Sequence, residues 1–212
     1  VGALPALAGL WRCPRCRGEL ARVAERLDCV ACGHRYGQVD GIPDLRVPGP
    51  SWIDIEEDLR TAREIAALDL DVEDVVRAVY PRRSAWSEDL VRMRTRQVLD
   101  APQRLQKDVS GWLGEAVSQD AWLDLGCGPG MLLAAAAGLK GPGAGVGVDV
   151  SMPWLVVAKR LIQAHGGTPI LAAGLAEALP FSDGALSGVV SLDVIEHVEG
   201  PDAFLSEIDR VV

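Results

Sequence analysis

The sequence lacks any apolar run that is long enough to cross a membrane. Its longest apolar stretches are interrupted by glycine, proline or charge well before ~18 residues, which excludes a membrane-spanning helix of ordinary length. The N-terminal stretch lacks the basic region of a signal peptide. Internal repeats and low-complexity tracts are missing too. We therefore expect a globular protein without membrane attachment that resides in the cytoplasm.

A strong positive charge is absent as well. The 212 residues carry a formal net charge of −9, and from residue 121 onward ten acids face four bases. An acidic main domain argues against a broad nucleic-acid surface. The stretch from Arg82 to Lys107 is locally basic. Two interpretations of it stay open, a local binding patch and an ordinary solvated helix face.

Four of the five cysteines fall into two C-x-x-C pairs that lie close together in the chain. Twelve residues separate the pairs, which is enough for a short hairpin. Glycines follow both pairs and permit the tight turns that point the sulfurs inward. We predict a structural zinc site with four thiolate ligands, namely Cys13, Cys16, Cys29 and Cys32.

Other uses of these cysteines stay open. Two disulfides would require an oxidising compartment, and no export signal is visible. A redox-active C-x-x-C ordinarily lies within a βαβ pattern, which surrounds neither pair. His34 could replace one of the thiolates as a zinc ligand.

The segment around the cysteines has a family resemblance. Over residues 11–47, the run C-P-x-C…C-x-x-C-G-x-x-Y…G-I-P-D-L resembles the Trm112-like zinc ribbons. Its Gly41–Leu45 element is more informative than the cysteines alone. Such ribbons accompany methyltransferases as partners or as fused modules. The resemblance therefore implies a protein partner at the ribbon and substrate presentation rather than chemistry.

The next part of the chain, residues 48–118, is predicted to be a helical linker or cap. Two prolines and a glycine at 47–50 mark its start. Ser51 is expected to cap a helix that runs to about residue 68, and Asp71 a second helix. A third helix should begin near Ser84 and run towards Leu99. The expected packing residues are Trp52, Trp86 and Trp112.

From residue 121 onward, short apolar strands alternate with helices. The expected strands are 121–125, 145–150, 169–172 and 188–192. The expected helices are 131–137, 153–165 (capped by Ser151) and 201–211. This alternation implies a parallel sheet with helices on both faces, and ligands of such sheets bind outside the carboxyl ends of the strands.

A glycine-rich loop, L-D-L-G-C-G-P-G, follows the first of these strands. A phosphate-binding P-loop would require Lys-Ser or Lys-Thr after the glycines, and neither is present. Asp149 ends the next strand, 21 residues beyond Gly128. A carboxylate there can accept hydrogen bonds from both hydroxyls of a ribose. Loop and carboxylate together predict an adenosine-type ligand whose 5′ substituent lies against the loop.

Four motifs occur in order between residues 121 and 212: L-D-L-G-C-G-P-G, G-V-D-V-S, A-E-A-L-P-F-S-D-G and S-L-D-V-I-E-H-V. This run resembles the class I S-adenosylmethionine-dependent methyltransferases. The resemblance implies a doubly wound, Rossmann-like α/β core with S-adenosylmethionine as its cofactor. The implied cofactor contacts are Asp124, Gly126, Cys127, Gly128 and Gly130 at the methionine end, Asp149 and Val150 at the ribose, Leu175 and Ala176 at the adenine, and Asp193 beside the sulfonium.

The chain departs from the family pattern at two positions. Leu175 and Ser187 each stand where the family commonly has an aspartate. Leu175 cannot accept a hydrogen bond from the adenine amino group, although Glu177 or main-chain groups could compensate. Losing one such bond costs ~0.5–1.5 kcal/mol, so it weakens cofactor binding without excluding it.

His197, beyond the fourth strand, is a candidate general base. An ordinary imidazole titrates in the range that suits deprotonation of an oxygen or amine nucleophile. A packing or capping role for this histidine stays open. Cys127 is expected to fill a small apolar position rather than to act as a nucleophile.

These features predict a zinc ribbon at 11–47, a helical region at 48–118 and a partial class I methyltransferase core at 119–212. Only four of the family's seven strands are evident, so we expect the chain to be truncated after the fourth. The predicted activity is methyl transfer from S-adenosylmethionine to an unidentified acceptor, a small molecule rather than RNA. An rRNA guanine methyltransferase and a non-catalytic cofactor-binding scaffold are the alternatives.

Overall fold

Two small antiparallel sheets form the N-terminal part of the computed structural model, which describes residues 11–47, 49–80, 86–113, 121–137, 139 and 143–212. Strands β1 (Leu20–Val23), β2 (Arg26–Cys29) and β3 (Arg35–Tyr36) form the first sheet, and β4 (Gln38–Val39) pairs with β5 (Ile42–Pro43) in the second. The β4–β5 turn places Asp40 and Gly41 at φ 52° and 79°, as a tight hairpin turn requires. Short hairpins of this kind agree with the predicted ribbon.

Two short helices follow the ribbon. Helix α1 (Ile55–Ala66) begins after Asp54, whose carboxylate accepts the N–H groups of Glu56 and Glu57. The predicted cap at Ser51 is therefore wrong, because an acid three residues later satisfies the free N–H groups of the first turn. Helix α2 (Val72–Val79) is capped by Asp71, as predicted.

Helix α3 (Glu88–Leu113) is much longer than predicted. The predicted start near Ser84 lies outside the described residues, and the predicted end near Leu99 is wrong. The helix continues through Pro102, which removes one backbone hydrogen bond. Val91, Val98, Ala101 and Val109 are buried along it, and this packing offsets the local cost of the proline. No described helix is long and apolar enough to span a membrane.

The C-terminal part contains a parallel four-stranded sheet. Its strands are β6 (Trp122–Leu125), β7 (Gly145–Asp149), β8 (Leu171–Ala173) and β9 (Gly188–Ser191), in the order β8-β7-β6-β9. Helices α4 (Met131–Ala137), α5 (Met152–Ala164) and α6 (Pro201–Val211) alternate with them, and a 3-10 helix spans Ile195–His197. The strand order reverses between β6 and β9, as in doubly wound sheets. This confirms the predicted α/β, Rossmann-like fold.

The two faces of the sheet pack against different sets of helices. On one face, helices α1 to α5 bury side chains such as Trp122, Leu133 and Leu155. On the other face, α6 and the ribbon cover Leu123 and Val148. Residues 11–47 therefore share a hydrophobic core with the sheet, and this was not expected of a module that only docks partners.

Backbone contacts join the ribbon to the edge of the sheet. The N–H of Leu45 donates to the carbonyl of Ala173 at 2.7 Å, and Asp44 forms a parallel bridge with the same residue of β8. Trp11 stacks on Phe181 with ring centroids 5.1 Å apart. The end of the Gly41–Leu45 element thus extends the parallel sheet beside β8.

The three tryptophans expected to pack have different surroundings. Trp52 is 54% exposed, so its predicted packing role is wrong. Trp86 stacks on Tyr80 at 5.2 Å but stays 38% exposed. The side chain of Trp112 lies outside the described residues.

Candidate functional site

A cavity of about 480 Å³ lies at the carboxyl ends of β6 and β7. This volume falls within the range of ordinary small-molecule sites. The cavity is located where parallel sheets of this order bind ligands, next to the reversal of strand order. Its lining includes five of the ten predicted cofactor residues, Gly126, Asp149, Val150, Leu175 and Ala176, together with the predicted base His197.

The loop after β6 has three glycines with positive φ, at 77° for Gly126, 49° for Gly128 and 74° for Gly130. A Cβ at Gly126 would collide with Val194, and one at Gly130 would lie 2.8 Å from the Cβ of Ala158. At Gly128, by contrast, a Cβ would meet nothing within 4 Å. The outer two glycines are thus required by packing, whereas Gly128 leaves the backbone open to the approach of a ligand.

Asp149 connects this loop to the start of α5. Its Oδ2 accepts the N–H of Gly128 at 2.8 Å, and its Oδ1 accepts the N–H of Ser151 at 2.8 Å. Each oxygen of a carboxylate can accept more than one hydrogen bond, so Asp149 can also accept hydrogen bonds from a ligand's hydroxyl groups. The carboxylate of Asp149 therefore fits the hydroxyl groups of the ribose in an adenosine-type ligand.

Asp124 lies in the core, only 5% exposed, and does not line the cavity. Burial raises its pKa to about 8, and the negative charge of Asp149 contributes to the rise. Both effects penalise the ionised carboxylate. A positively charged ligand bound nearby would favour ionisation of Asp124.

Replacing Asp124 with asparagine is expected to change how stability depends on pH. In wild-type protein the pKa of Asp124 rises from 3.8 to about 8 on folding. The contribution of this group to the free energy of unfolding is therefore fully present below pH ~4 and is lost as the pH rises towards 8. Relative to wild type, Asp124→Asn should gain up to about 1.4 kcal/mol of unfolding free energy per pH unit across that window. Urea unfolding at several pH values measures this, and a pH-independent difference would contradict the assignment.

The wall predicted to border adenine is mainly apolar. Leu175, Ala176 and Ala178 line it, together with one acid, Glu177. The predicted compensating acid, Glu177, is already engaged, because its Oε1 accepts the N–H groups of Glu199 at 3.0 Å and Gly200 at 3.5 Å. This carboxylate therefore holds the turn before α6.

His197 and Asp193 lie in the segment that follows β9. His197 is exposed and lines the cavity, and its backbone N–H donates to Val194 at 2.8 Å. Asp193 is exposed, with φ 56°, and does not line the cavity. A catalytic role for His197 and a cofactor contact for Asp193 remain predictions.

Cys127 packs in the core, as predicted. It is 6% exposed, and its Sγ would lie 2.9 Å from a Cβ placed at Gly147. Burial raises the pKa of this thiol well above its usual value, and Asp124 and Asp149 add to the rise. A buried neutral thiol is a poor nucleophile, so any ligand contact at this position falls to the backbone.

One wall of the cavity was missed from the sequence. Gly49, Pro50 and Trp52, which lie between the ribbon and α1, line it. Ser51, in the same segment, connects it to another lining residue, because its Oγ donates to Glu199 Oε1 at 2.6 Å. The available signal was a large aromatic residue two positions after the Pro48–Pro50 segment, and that segment was interpreted only as a linker.

The four ribbon cysteines form a cluster. Their sulfurs all lie within 4.8 Å of one another, including 3.8 Å between Cys13 and Cys32 and 3.5 Å between Cys16 and Cys29. Thiolates bound at ~2.3 Å to one tetrahedral zinc are ~3.8 Å apart, so the cluster fits this metal. The cysteines form no disulfide, and His34 contacts Tyr36 rather than the cluster.

Neighbouring groups support this cluster. The hydroxyl of Tyr36 lies 2.9 Å from the Sγ of Cys13, and the N–H of Cys32 donates to the Sγ of Cys29 at 3.4 Å. At Gly18 a side chain would crowd the cluster, because a Cβ would lie 3.0 Å from the Sγ of Cys29. Such contacts orient the ligands of structural metal sites.

Arg46 links the ribbon to the edge of the cavity. Its side chain is 0% exposed, and its guanidinium donates to Asp44 at 2.7 Å and to Asp58 at 2.6 Å. It also donates to the carbonyl of Val150 at 2.8 Å, directly after Asp149. Asp58 in turn accepts the N–H of Met152 at 3.1 Å. No sequence signal distinguished this arginine from the other arginines of the ribbon.

Comparison with known proteins gives a family match in the C-terminal part. Residues 123–212 match the family model described as a methyltransferase domain. Among curated proteins, none matches the chain. The family match therefore covers the sheet, the glycine loop and the wall of the cavity formed after β8 and β9.

Several solved structures are partly similar. Phosphoethanolamine N-methyltransferase 2 of Haemonchus contortus, in complex with S-adenosylmethionine, is 27% identical over 51% of this chain and 25% of that chain, with a TM-score of 0.44. The [4+2]-cyclase SpnF is 23% identical over 51% and 40%, with a TM-score of 0.46. A complex containing the Haloferax volcanii Trm112 methyltransferase activator matches at 26% identity over 53% and 54%, with a TM-score of 0.40. The chain spans about half or less of the length of these structures. Their TM-scores are below 0.5, so the similarity to methyltransferases rests on the family match of residues 123–212.

Proposed function

We propose that the protein transfers a methyl group from S-adenosylmethionine to an acceptor, on the premise that residues 123–212 match the family model of a methyltransferase domain. The observation that carries the proposal is the open backbone at Gly128 beside the carboxylate of Asp149. Asp149 lines the cavity and offers an acceptor for ribose hydroxyls, and Gly128, hydrogen-bonded to it at 2.8 Å, offers a place of close approach beside the cavity. This arrangement of acceptor and open backbone suits an adenosine with a long 5′ substituent.

The bound cofactor would supply a methyl group on a sulfonium, which is already a good leaving group. The chain's own residues would bind and orient it. In this proposal Asp149 holds the ribose hydroxyls, and the glycine loop accommodates the methionine end. We assign to His197, which lines the cavity, the role of accepting a proton from the acceptor. Alignment of the acceptor and exclusion of water are the main contributions that we assign to the protein.

The charges of the cavity support a small acceptor that is not anionic. Asp149, Glu177 and Glu199 contribute carboxylates, whereas none of the described lining residues is a lysine or an arginine. A phosphorylated substrate or an RNA backbone would meet repulsion there.

We further propose that the ribbon cysteines bind one structural zinc ion. The four sulfurs, their spacing and the supporting contacts of Tyr36 and Cys32 favour zinc. Cysteines that bind a metal rather than form disulfides are typical of a reducing compartment, so we also propose a cytoplasmic location. A protein partner at the exposed side of the ribbon remains part of the proposal.

Asp149→Ala is expected to weaken binding of S-adenosylmethionine by at least about tenfold. Two charge-assisted hydrogen bonds to the ribose would be lost, and ~1.4 kcal/mol corresponds to a factor of ten. The variant should also lose about 1–3 kcal/mol of stability, because the N–H groups of Gly128 and Ser151 lose their acceptor. Calorimetric titration with the cofactor measures the affinity.

The matched control is Asp89→Ala. Asp89 is an acid on α3 with 84% of its side chain exposed, and it does not line the cavity. Its removal should leave cofactor affinity unchanged. Asp183, an acid in a predicted turn, is a poorer control because its partner Arg210 is largely buried, whereas Arg92, the partner of Asp89, is exposed. Equal affinities in Asp149→Ala and Asp89→Ala would mean that the ribose is bound elsewhere.

The acceptor can be identified by incubating cell extracts with the protein and isotopically labelled S-adenosylmethionine. Label in a small metabolite supports the proposed class, whereas label in ribosomal RNA supports the alternative enzyme. Tight cofactor binding without transfer to any extract component would favour a non-catalytic scaffold. The Asp149→Ala variant serves as the background for each of these measurements.

A further inference from the structure

We propose that Trp52 contacts the base of the bound adenosine ligand and that residues 49–52, the strap, close the cavity over it. The inference rests on the proposed cofactor. It adds a binding residue from outside residues 123–212, which match the methyltransferase family model.

The position of the strap supports this role. Gly49, Pro50 and Trp52 line the cavity, although they precede the sheet by about 70 residues. Ser51 donates to Glu199 at 2.6 Å, so the strap reaches the segment that precedes α6. The strap therefore spans from the ribbon side of the cavity to the wall formed by residues 198–200.

Both ends of the strap are held. Before it, Arg46 is buried in its network with Asp44 and Asp58. After it, Asp54 caps α1, and a Cβ at Gly49 would lie 3.1 Å from Cγ1 of Ile55. These anchors restrict how far the strap can move, so Trp52 is kept close to the cavity.

The exposure of Trp52 indicates a missing contact. Its side chain is 54% exposed, although it lines a cavity whose surface is mostly apolar. A large aromatic side chain in such a place is stabilised when a planar ligand covers it. Single exposed aromatic residues are common, so the exposure counts here only because it coincides with the cavity and the held strap.

The orientation of the ligand follows from Asp149. If its carboxylate holds the ribose and the glycine loop accommodates the 5′ substituent, the base must extend towards the remaining part of the cavity. That part is lined by Leu175, Ala176, Val198 and the strap. It offers apolar contact rather than a side-chain hydrogen bond to the base, and an indole ring suits this chemistry.

The test compares Trp52→Ala with Trp52→Phe by titrating the full chain with S-adenosylmethionine and, separately, with S-adenosylhomocysteine. Both ligands carry the same adenosine, and only the first has the sulfonium charge. Trp52→Ala should weaken both by about fivefold or more, and Trp52→Phe should restore most of the affinity. Ser51→Ala should weaken both ligands to a smaller extent, because it removes the hydrogen bond to Glu199.

Trp86→Ala is the matched control, since Trp86 is also partly exposed but stacks on Tyr80 and does not line the cavity. Unchanged affinity in Trp52→Ala, with Asp149→Ala still impaired, would overturn this inference and leave the proposed function intact. A loss for S-adenosylmethionine alone would also overturn it, because the indole would then contact the sulfonium. If wild-type protein binds neither ligand, the proposed function fails.

Discussion

Replacing Arg46 with methionine is expected to destabilise the protein by about 3–5 kcal/mol. The side chain is fully buried and pairs with Asp44 and Asp58, so its loss would remove the cation from two largely buried carboxylates. Cofactor affinity should fall as well, because the carbonyl of Val150 and the loop after Asp149 lose their anchor. Urea unfolding and calorimetric titration with S-adenosylmethionine measure the two effects. Arg46→Lys should lie between methionine and wild type, since an ammonium cannot reproduce the forked contacts.

Arg26→Met provides the control for this prediction. Arg26 makes a similar pair with Asp28 at 2.7 Å, but its side chain is 42% exposed. Exposed pairs contribute ~0–1 kcal/mol, so the variant should remain close to wild type. If both methionine variants lost the same small amount of stability, the buried network would have no special role in connecting the ribbon to the sheet.

Loss of the ribbon metal is expected to affect the whole protein. Cys13→Ser should abolish stoichiometric zinc binding, because structural zinc needs all four ligands. The ribbon should then unfold, since apparent zinc binding energies of ~10–16 kcal/mol are largely folding free energy in such small modules. From the sequence alone, cofactor binding was expected to survive this loss if the ribbon only docks partners.

The structure changes that expectation. Cys13, Tyr36 and Leu45 belong to the core that covers one face of the parallel sheet, together with Leu123 and Val148. Unfolding of the ribbon would expose this face and remove the hydrogen bond from Leu45 to Ala173 at the cavity wall. We therefore expect S-adenosylmethionine binding and zinc content to fall together.

Metal analysis of freshly reduced protein, followed by cofactor titration, tests this coupling. Cys127→Ala is the control, because its thiol is buried in the core and does not belong to the four-sulfur cluster. It should retain one zinc per chain. Wild-type protein that contains no zinc while its ribbon is folded would refute the metal assignment. Full cofactor affinity in Cys13→Ser without zinc would refute the coupling.

Local sequence patterns predicted the alternating elements of the C-terminal part well. The strands and helices from Trp122 onward lie within about two residues of their predicted bounds, because each is short, periodic and punctuated by glycine or proline. The helix caps were less certain. Asp71 was identified correctly as a cap. For α1, serine and aspartate are both good capping residues, and the sequence did not show that Asp54 rather than Ser51 caps the helix.

The length of α3 was not predictable from its own residues. Pro102 is an ordinary reason to end a helix, and only the burial of Val109 and its neighbours explains why the helix continues. The exposure of Trp52 was missed for a related reason. A tryptophan after a linker looks like a packing residue until the cavity beside it is known.

By itself, the sequence determined the α/β order of the C-terminal part, the four clustered cysteines and the glycine loop with Asp149. Each of these depends on residues that are neighbours in the chain or follow a local period, so their spacing carries the information. Only the tertiary structure decided that the ribbon covers the sheet, that Arg46 reaches Val150 across 104 positions, and that the strap forms a cavity wall. These contacts join residues far apart in the chain, and no local pattern specifies which distant surfaces become buried together.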